Sequence, residues 1–175
     1  MAVATKHTLV ALVENKPGVL NRVASLFRRR GFNIDSIAVG ESETPHLSRM
    51  TIVVGGTTPM VEQVRKQLDK VIDVVRVSDI SEDPIVAREL ALIKVKANSN
   101  TRAEIIQIAD IFRANIVDVA SDSLTVEVTG DEDKIDSLAS LLKGFGIKEL
   151  ARTGRIAMPR GGSSPLPNGD RGHDE

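Results

Sequence analysis

Residues 9–40, LVALVENKPGVLNRVASLFRRRGFNIDSIAVG, constrain the fold more than any other stretch of the chain. An apolar run at 9–13 has the length of a buried strand and ends at a polar turn, Asn15-Lys16-Pro17-Gly18. Apolar residues then recur at helical spacing. Val19, Leu20, Val23, Ala24, Leu26 and Phe27 form one face, with Pro17 suited to the first helical position. Arg28, Arg29 and Arg30 fall in the last turn, where cations complement the helix dipole, and Gly31 serves as a C-terminal cap. A Gly-Phe-Asn turn leads into a second strand at 33–40. Strand, polar turn, helix and strand in this order open a split βαβ unit.

The alternation continues beyond it. Residues 47–54 read as a third strand, reached through the polar loop ESETPH. Gly55-Gly56-Thr57 predicts a turn into a second helix that buries Met60, Val64, Leu68 and Val71, and 73–80 closes the unit as a strand. Ser81-Glu82-Asp83-Pro84 is polar, ends in proline and reads as a linker. The order then repeats. A strand at 89–97 alternates Ile93, Val95 and Ala97 with Lys94 and Lys96. Thr101 is placed to cap a helix that turns Ile105, Ile108, Ala109 and Phe112 inward, with Glu104 completing a capping box. Strands at 115–120 and 124–129 follow, the second with Leu124, Val126 and Val128 alternating. A helix at 131–142 buries Ile135, Leu138 and Leu142, and the last strand runs over 145–152.

Each half therefore reads βαββαβ. The predicted fold class is α+β, with two ferredoxin-like domains at 5–81 and 82–157, each an antiparallel sheet with helices on one face. Residues 158–175, rich in Gly, Pro, Ser and charge, are expected to form a disordered tail. A sheet covered on one face leaves the other face and its edges open. Apolar side chains there predict self-association.

Several functions lack the residues they need. The chain has no cysteine, which removes disulfides, thiolate chemistry and Cys-ligated zinc. His7, His46 and His173 stand far apart with no second histidine at ligand spacing, so no metal site is expected. Ser25, Ser36 and Ser48 sit in no nucleophile elbow, and Asp131 and Asp133 read as helix-start charges. No catalytic group is predicted. The βαββαβ order is shared with RNA-binding domains that stack bases on strand aromatics. Here the strands SRMTIVV and LTVEVTG carry none, and a net charge of −1 gives no pull toward nucleic acid. The amino terminus shows neither the cationic segment nor the long apolar run expected of a signal peptide, and no apolar run approaches the ~20 residues of a membrane span. A cytoplasmic location without membrane contact is expected. The arginines at 28–30 and Arg49 read as solvated surface, with docking of an acidic partner as the alternative.

The turn at 15–18 admits two readings. One is an ordinary capped turn. The other is a small-ligand site, because a helix start offers unpaired N–H groups to a carboxylate and Gly18 lets a ligand approach the backbone. Asn15 and Asn33 carry amide oxygens able to accept from an ammonium group. Together these suit a zwitterionic amino acid.

The stretch LVENKPGVLNRVASLFRRRGFNIDSIAVG, followed by LSRMTIVV and KQLDKVIDVVRV, closely resembles the regulatory small subunits of acetolactate synthase, also called acetohydroxyacid synthase. The first half matches their ACT domain. RELALIKV and IFRANIVDV are similar to their carboxy-terminal domain, and the resemblance spans residues 5–157. It implies a non-catalytic chain that activates a separate large subunit carrying thiamine diphosphate, Mg²⁺ and FAD. It also implies feedback inhibition by valine and a homodimer joined through the ACT domains. The binding residues it implies are Asn15, Gly18, Val19 and Leu20, with Asn33 and Ile34 from the neighbouring subunit. Asn21 stands where other members often have serine. A free-standing amino-acid sensor controlling some other partner is the alternative, and an assembly module without ligand is a third.

Overall fold

The computed structural model describes residues 5–162. They fall into two compact units, one made of residues up to 86 together with those from 156 onward, the other of residues 87–155.

The first unit contains β1 (Thr5–Glu14), α1 (Val19–Arg29), β2 (Ile34–Glu41), β3 (Leu47–Gly56), α2 (Thr58–Leu68) and β4 (Val74–Asp79). Its strands form an antiparallel sheet in the order β2-β3-β1-β4. Leu9, Ala11 and Val13 of β1 and Met50, Ile52 and Val54 of β3 pack with Val19, Val23, Leu26 and Phe27 of α1 and with α2. The C-terminus of α1 is built as the sequence predicts. Gly31 has φ +70°, its N–H donates to the Arg28 carbonyl at 3.1 Å, and the Phe32 N–H donates to the Phe27 carbonyl at 3.1 Å. This pair of bonds satisfies two carbonyls that a helix end otherwise leaves open.

Several local expectations are corrected. The left-handed backbone at Gly18, φ +88°, interrupts the helix, so α1 begins at Val19 and Pro17 lies in the preceding turn. Leu20 and Ala24 turn outward. In α2 the buried residues are Val61, Val64 and Leu68, while Met60 is exposed. Met60 stands about 100° of helix from Val61, on the margin of the buried stripe. Val71 lies beyond the helix but still packs on the core. Gly55 and Gly56 end β3 instead of forming a turn. Gly56 has a packing reason. A Cβ there would lie 3.1 Å from the Phe32 ring and 3.2 Å from a Val61 methyl. Gly56→Val is expected to destabilise the protein by about 1–3 kcal/mol through overpacking, read as a lowered melting temperature.

The second unit holds most of β5 (Ile85–Lys96), then α3 (Arg102–Ile111), β6 (Asn115–Val119), β7 (Ser123–Gly130), α4 (Glu132–Leu142), a 3₁₀ turn (Lys143–Phe145) and β8 (Ile147–Arg152). Its sheet is antiparallel in the order β6-β7-β5-β8. Leu124, Val126 and Val128 face a core completed by Ile93, Val95, Ile105, Ile135, Leu138 and Leu142. Both units thus carry the βαββαβ order on antiparallel sheets. The capping box at Thr101 does not form. The Asn98 carboxamide oxygen accepts from the N–H groups of Asn100 and Thr101 at 2.9 and 3.0 Å, and the Thr101 hydroxyl accepts from the Asn98 N–H. Phe145 lies in the 3₁₀ turn instead of in β8.

Two further corrections concern the first unit. A short strand, β9 (Ile156–Pro159), pairs with β5, so Met158 and Pro159 are ordered where a disordered tail was expected. The rest of that expectation, residues 163–175, lies outside the described residues. On the sheet face opposite the helices the central residues of β1 are not exposed. Thr8, Val10 and Leu12 alternate with the helix-facing residues of β1, pair in register with Val53, Thr51 and Arg49, and are buried within the chain. The exposed-face argument for self-association therefore fails in this unit. Exposed apolar side chains remain at Leu20 on α1 and at Val39 on the edge strand β2.

Candidate functional site

The turn between β1 and α1 is fixed from both sides. The Glu14 N–H donates to the Asp73 carbonyl at 2.9 Å, and the Asn15 N–H donates to the His46 carbonyl at 2.8 Å. Arg22, in the first turns of α1, forms an ion pair with Asp73. The backbone of Asn15 is thereby held while its side chain is not. Among the described residues its carboxamide has no hydrogen-bond partner.

Gly18 occupies the position before α1 in a conformation that L side chains seldom adopt, and a Cβ built on it meets nothing within 4 Å. No side chain caps α1, and its first turn carries no acidic residue. The first-turn amides are left without a side-chain acceptor, and the positive end of the helix dipole stays unneutralised. The contrast with α4 is direct. There the Asp131 carboxylate accepts from the Lys134 N–H at 2.9 Å.

Val19 and Leu20 take opposite sides. Val19 is 3% exposed, with its side chain in the core, so toward a ligand it can present only its backbone. Leu20 is 49% exposed and presents its isobutyl group outward. A cavity of about 190 Å³ opens beside the turn, lined by Asn15 and by the β2–β3 loop with Ser42, Thr44 and His46. That loop is stapled by Ser42, whose hydroxyl lies 3.0 Å from the Thr44 carbonyl and 3.1 Å from that of Leu47. His46 adopts φ +65°.

Asn33 and Ile34 lie elsewhere. Ile34 starts β2 and pairs with Val54 near the end of β3, whereas Asn15 bonds to His46 just before the start of β3. Eight residues of strand separate those positions, about 26 Å at ~3.3 Å per residue. One chain therefore brings Asn15, Gly18, Val19 and Leu20 together and leaves Asn33 and Ile34 at the far end of the sheet. The Asn33 amide nitrogen donates to Asp35 at 3.3 Å, which leaves its amide oxygen as an acceptor.

Arg49 departs from the solvated reading. It lies on β3, half-buried, and its guanidinium donates to the Ala157 carbonyl at 2.9 Å. Burial pushes its pKa down, and Glu43 in the β2–β3 loop opposes that shift. No local pattern in the sequence announces this contact, because its acceptor lies on β9. His7 is also buried, bonded to Asp79 at 2.9 Å and to Thr5 at 3.1 Å. No helix among the described residues is long and apolar enough to cross a membrane.

Comparison with known proteins matches both units. Residues 9–76 match the family described as AHAS small subunit-like ACT domain, and 88–161 match the small subunit of acetolactate synthase. The chain is 60% identical over 156 residues to the probable acetolactate synthase small subunit of Archaeoglobus fulgidus, covering 89% of this chain and 98% of that one. It is 52% identical over 155 residues to the acetolactate synthase small subunit of Mycolicibacterium smegmatis, covering 89% and 91%. The crystal structure of the acetolactate synthase small subunit from Thermotoga maritima superposes with a TM-score of 0.84 at 45% identity, covering 91% of this chain and 99% of that one.

Proposed function

This chain belongs to the acetolactate synthase small subunits, regulatory chains with an ACT domain, and from that premise we propose that it activates the large subunit and makes it sensitive to valine. In this reading the chain performs no chemistry of its own. The large subunit, with its thiamine diphosphate, Mg²⁺ and FAD, condenses the 2-ketoacids in the cytoplasm. The first unit binds the effector and dimerises, and the second, residues 87–155, forms the body of the carboxy-terminal domain.

The observation that carries the effector site is the free helix start at Gly18 beside the unpartnered carboxamide of Asn15. Valine's carboxylate meets the first-turn amides of α1, where Val19 contributes backbone alone. Its ammonium donates to the amide oxygens of Asn15 and, from the second subunit, Asn33. Its isopropyl group lies against Leu20 and the second subunit's copy of Ile34.

The topology supports a shared site. β2 is an edge strand, and antiparallel pairing of two β2 strands about a twofold axis sets the start of one beside the end of the other. The start carries Asn33 and Ile34. The end of β2 lies at the same end of the sheet as Asn15 and Gly18, with β3 between them. Exposed Val39 on β2 and Leu20 on α1 supply apolar surface for the pairing. Feedback then requires that valine bind one arrangement of the assembly more tightly than the active one, with coupling of ~1–3 kcal/mol typical of such systems.

Calorimetric titration of the chain with valine, leucine, isoleucine and serine tests the reading, followed by activity of the reconstituted assembly. Saturable valine binding and valine-sensitive activity are expected. Asn33→Ala is expected to weaken valine binding by ~1–3 kcal/mol, because the bound ammonium loses a partner. Unchanged affinity in that variant removes Asn33 from the site.

A further inference from the structure

The contact between Arg49 and Ala157 joins two parts of the first unit that are far apart in sequence. On one side lies the β2–β3 loop, whose His46 carbonyl holds the Asn15 N–H and whose Glu43 charge opposes the downward pKa shift of Arg49. On the other lies β9. We propose that Arg49 is a positioning residue that ties the C-terminal ribbon to the loop bordering the effector turn, so that effector binding tightens the ribbon. The coupling rests on the effector site proposed above. The tie itself does not.

The ribbon is held in two different ways. The Arg160 N–H donates to the Pro84 carbonyl at 2.7 Å and its Nε to the Ile85 carbonyl at 3.1 Å, closing β9 on the start of β5. Arg49 instead fastens the ribbon to the sheet. Ala157 is buried while Ile156 and Met158 face outward, as expected of a strand laid down on one side. In register Arg49 stands between Leu12 of β1 and Gly40 of β2. The glycine places no side chain beside the arginine stem.

The charge makes the tie responsive. A half-buried guanidinium is stabilised by an acceptor and a counter-charge, and here these come from β9 and from the loop. Ser42 staples that loop, and Asn15 is bonded to its far end. An effector that fixes Asn15 restrains the His46 carbonyl that its N–H holds, three residues before Arg49 at the entry to β3. The bond to Ala157 is then retained for a larger fraction of the time.

Hydrogen–deuterium exchange of the amides at 156–160 in the full chain, with and without saturating valine, tests this. Arg49→Met keeps the packing of the stem and removes the donors, and Arg49→Lys restores one charge. Without valine, Arg49→Met is expected to exchange about tenfold or more faster than wild type, with Arg49→Lys in between. Valine is expected to slow exchange in wild type and to leave Arg49→Met unchanged, although calorimetry still records binding. Equal ligand-free exchange in wild type and a folded Arg49→Met overturns the tie. Equal slowing by valine in both overturns the coupling. If wild type binds no valine, the effector reading fails and the ligand-free comparison alone decides the tie. Should Arg49→Met fail to fold, Glu43→Gln removes only an exposed carboxylate and is expected to speed ribbon exchange severalfold. Unchanged exchange there overturns the proposal.

Discussion

Gly18→Asp is expected to abolish the valine response while the chain still folds and still activates its large subunit. The space at Gly18 is open, since a Cβ there meets nothing within 4 Å. The backbone at φ +88° disfavours any L residue by roughly 1–2 kcal/mol, but aspartate tolerates this region better than most. Its carboxylate would also stand at the uncapped start of α1, where an acidic cap in place of glycine contributes only about a few tenths of a kcal/mol. The cap offsets only part of the strain, and a net loss of about 1 kcal/mol still leaves the chain folded against the ~5–15 kcal/mol typical of a domain. Binding does not escape. A fixed carboxylate in the place proposed for the ligand's carboxylate costs several kcal/mol, at least a hundredfold in valine affinity. Gly18→Ala separates the causes, because it carries the backbone strain without the charge and should retain most of the binding. Undiminished valine inhibition in Gly18→Asp would contradict the site.

How much of this was legible in the residues depended on how far apart the interacting groups are. The face of α1 at Val19, Val23, Leu26 and Phe27 and the alternation at Leu124, Val126 and Val128 could be read from spacing, because one element carries the whole signal. Gly31 was readable for the same reason: its left-handed backbone closes the helix within a few residues. Met60 shows where local reading slips. Val64 is reached by three residues from Val61 and by four from Met60, both spacings that a helical face allows, and the structure buries Val61. The burial of Val10 and Leu12 and the strand β9 escaped for a different reason. Ala157 meets Arg49 more than a hundred residues away in sequence, and a four-residue strand among Pro and Gly carries no period of its own. The candidate site divides in the same way. Asn15 and Gly18 follow from turn chemistry. Asn33 was readable as an ammonium acceptor by its amide alone, and Ile34 came only through resemblance, but within one chain both lie at the opposite end of the sheet from Asn15.

Phe27→Ala should produce the largest loss of stability, about 3–5 kcal/mol, the usual cost of removing a buried aromatic ring. Phe27 is among the largest fully buried side chains, and it packs in the first unit's core with Leu26, Val23 and the helix-facing residues of β1 and β3. Its carbonyl also accepts the Phe32 N–H in the helix cap, so relaxation of the backbone into the cavity would strain that turn. The second unit has a separate core containing none of these residues, and unfolding of that unit should be unaffected. Against a total stability of ~5–15 kcal/mol typical of a domain, the loss places the first unit near its threshold. Valine offers a check that links the core to the site. A ligand bound only by the folded state restores about 2.7 kcal/mol at a hundredfold excess over its Kd. Denaturant titration of Phe27→Ala with and without valine should therefore recover about half or more of the loss, in the first unit's transition alone. A loss below about 1 kcal/mol would show that the ring is not a structural keystone of α1. Full loss without recovery would show that valine does not engage the folded first unit.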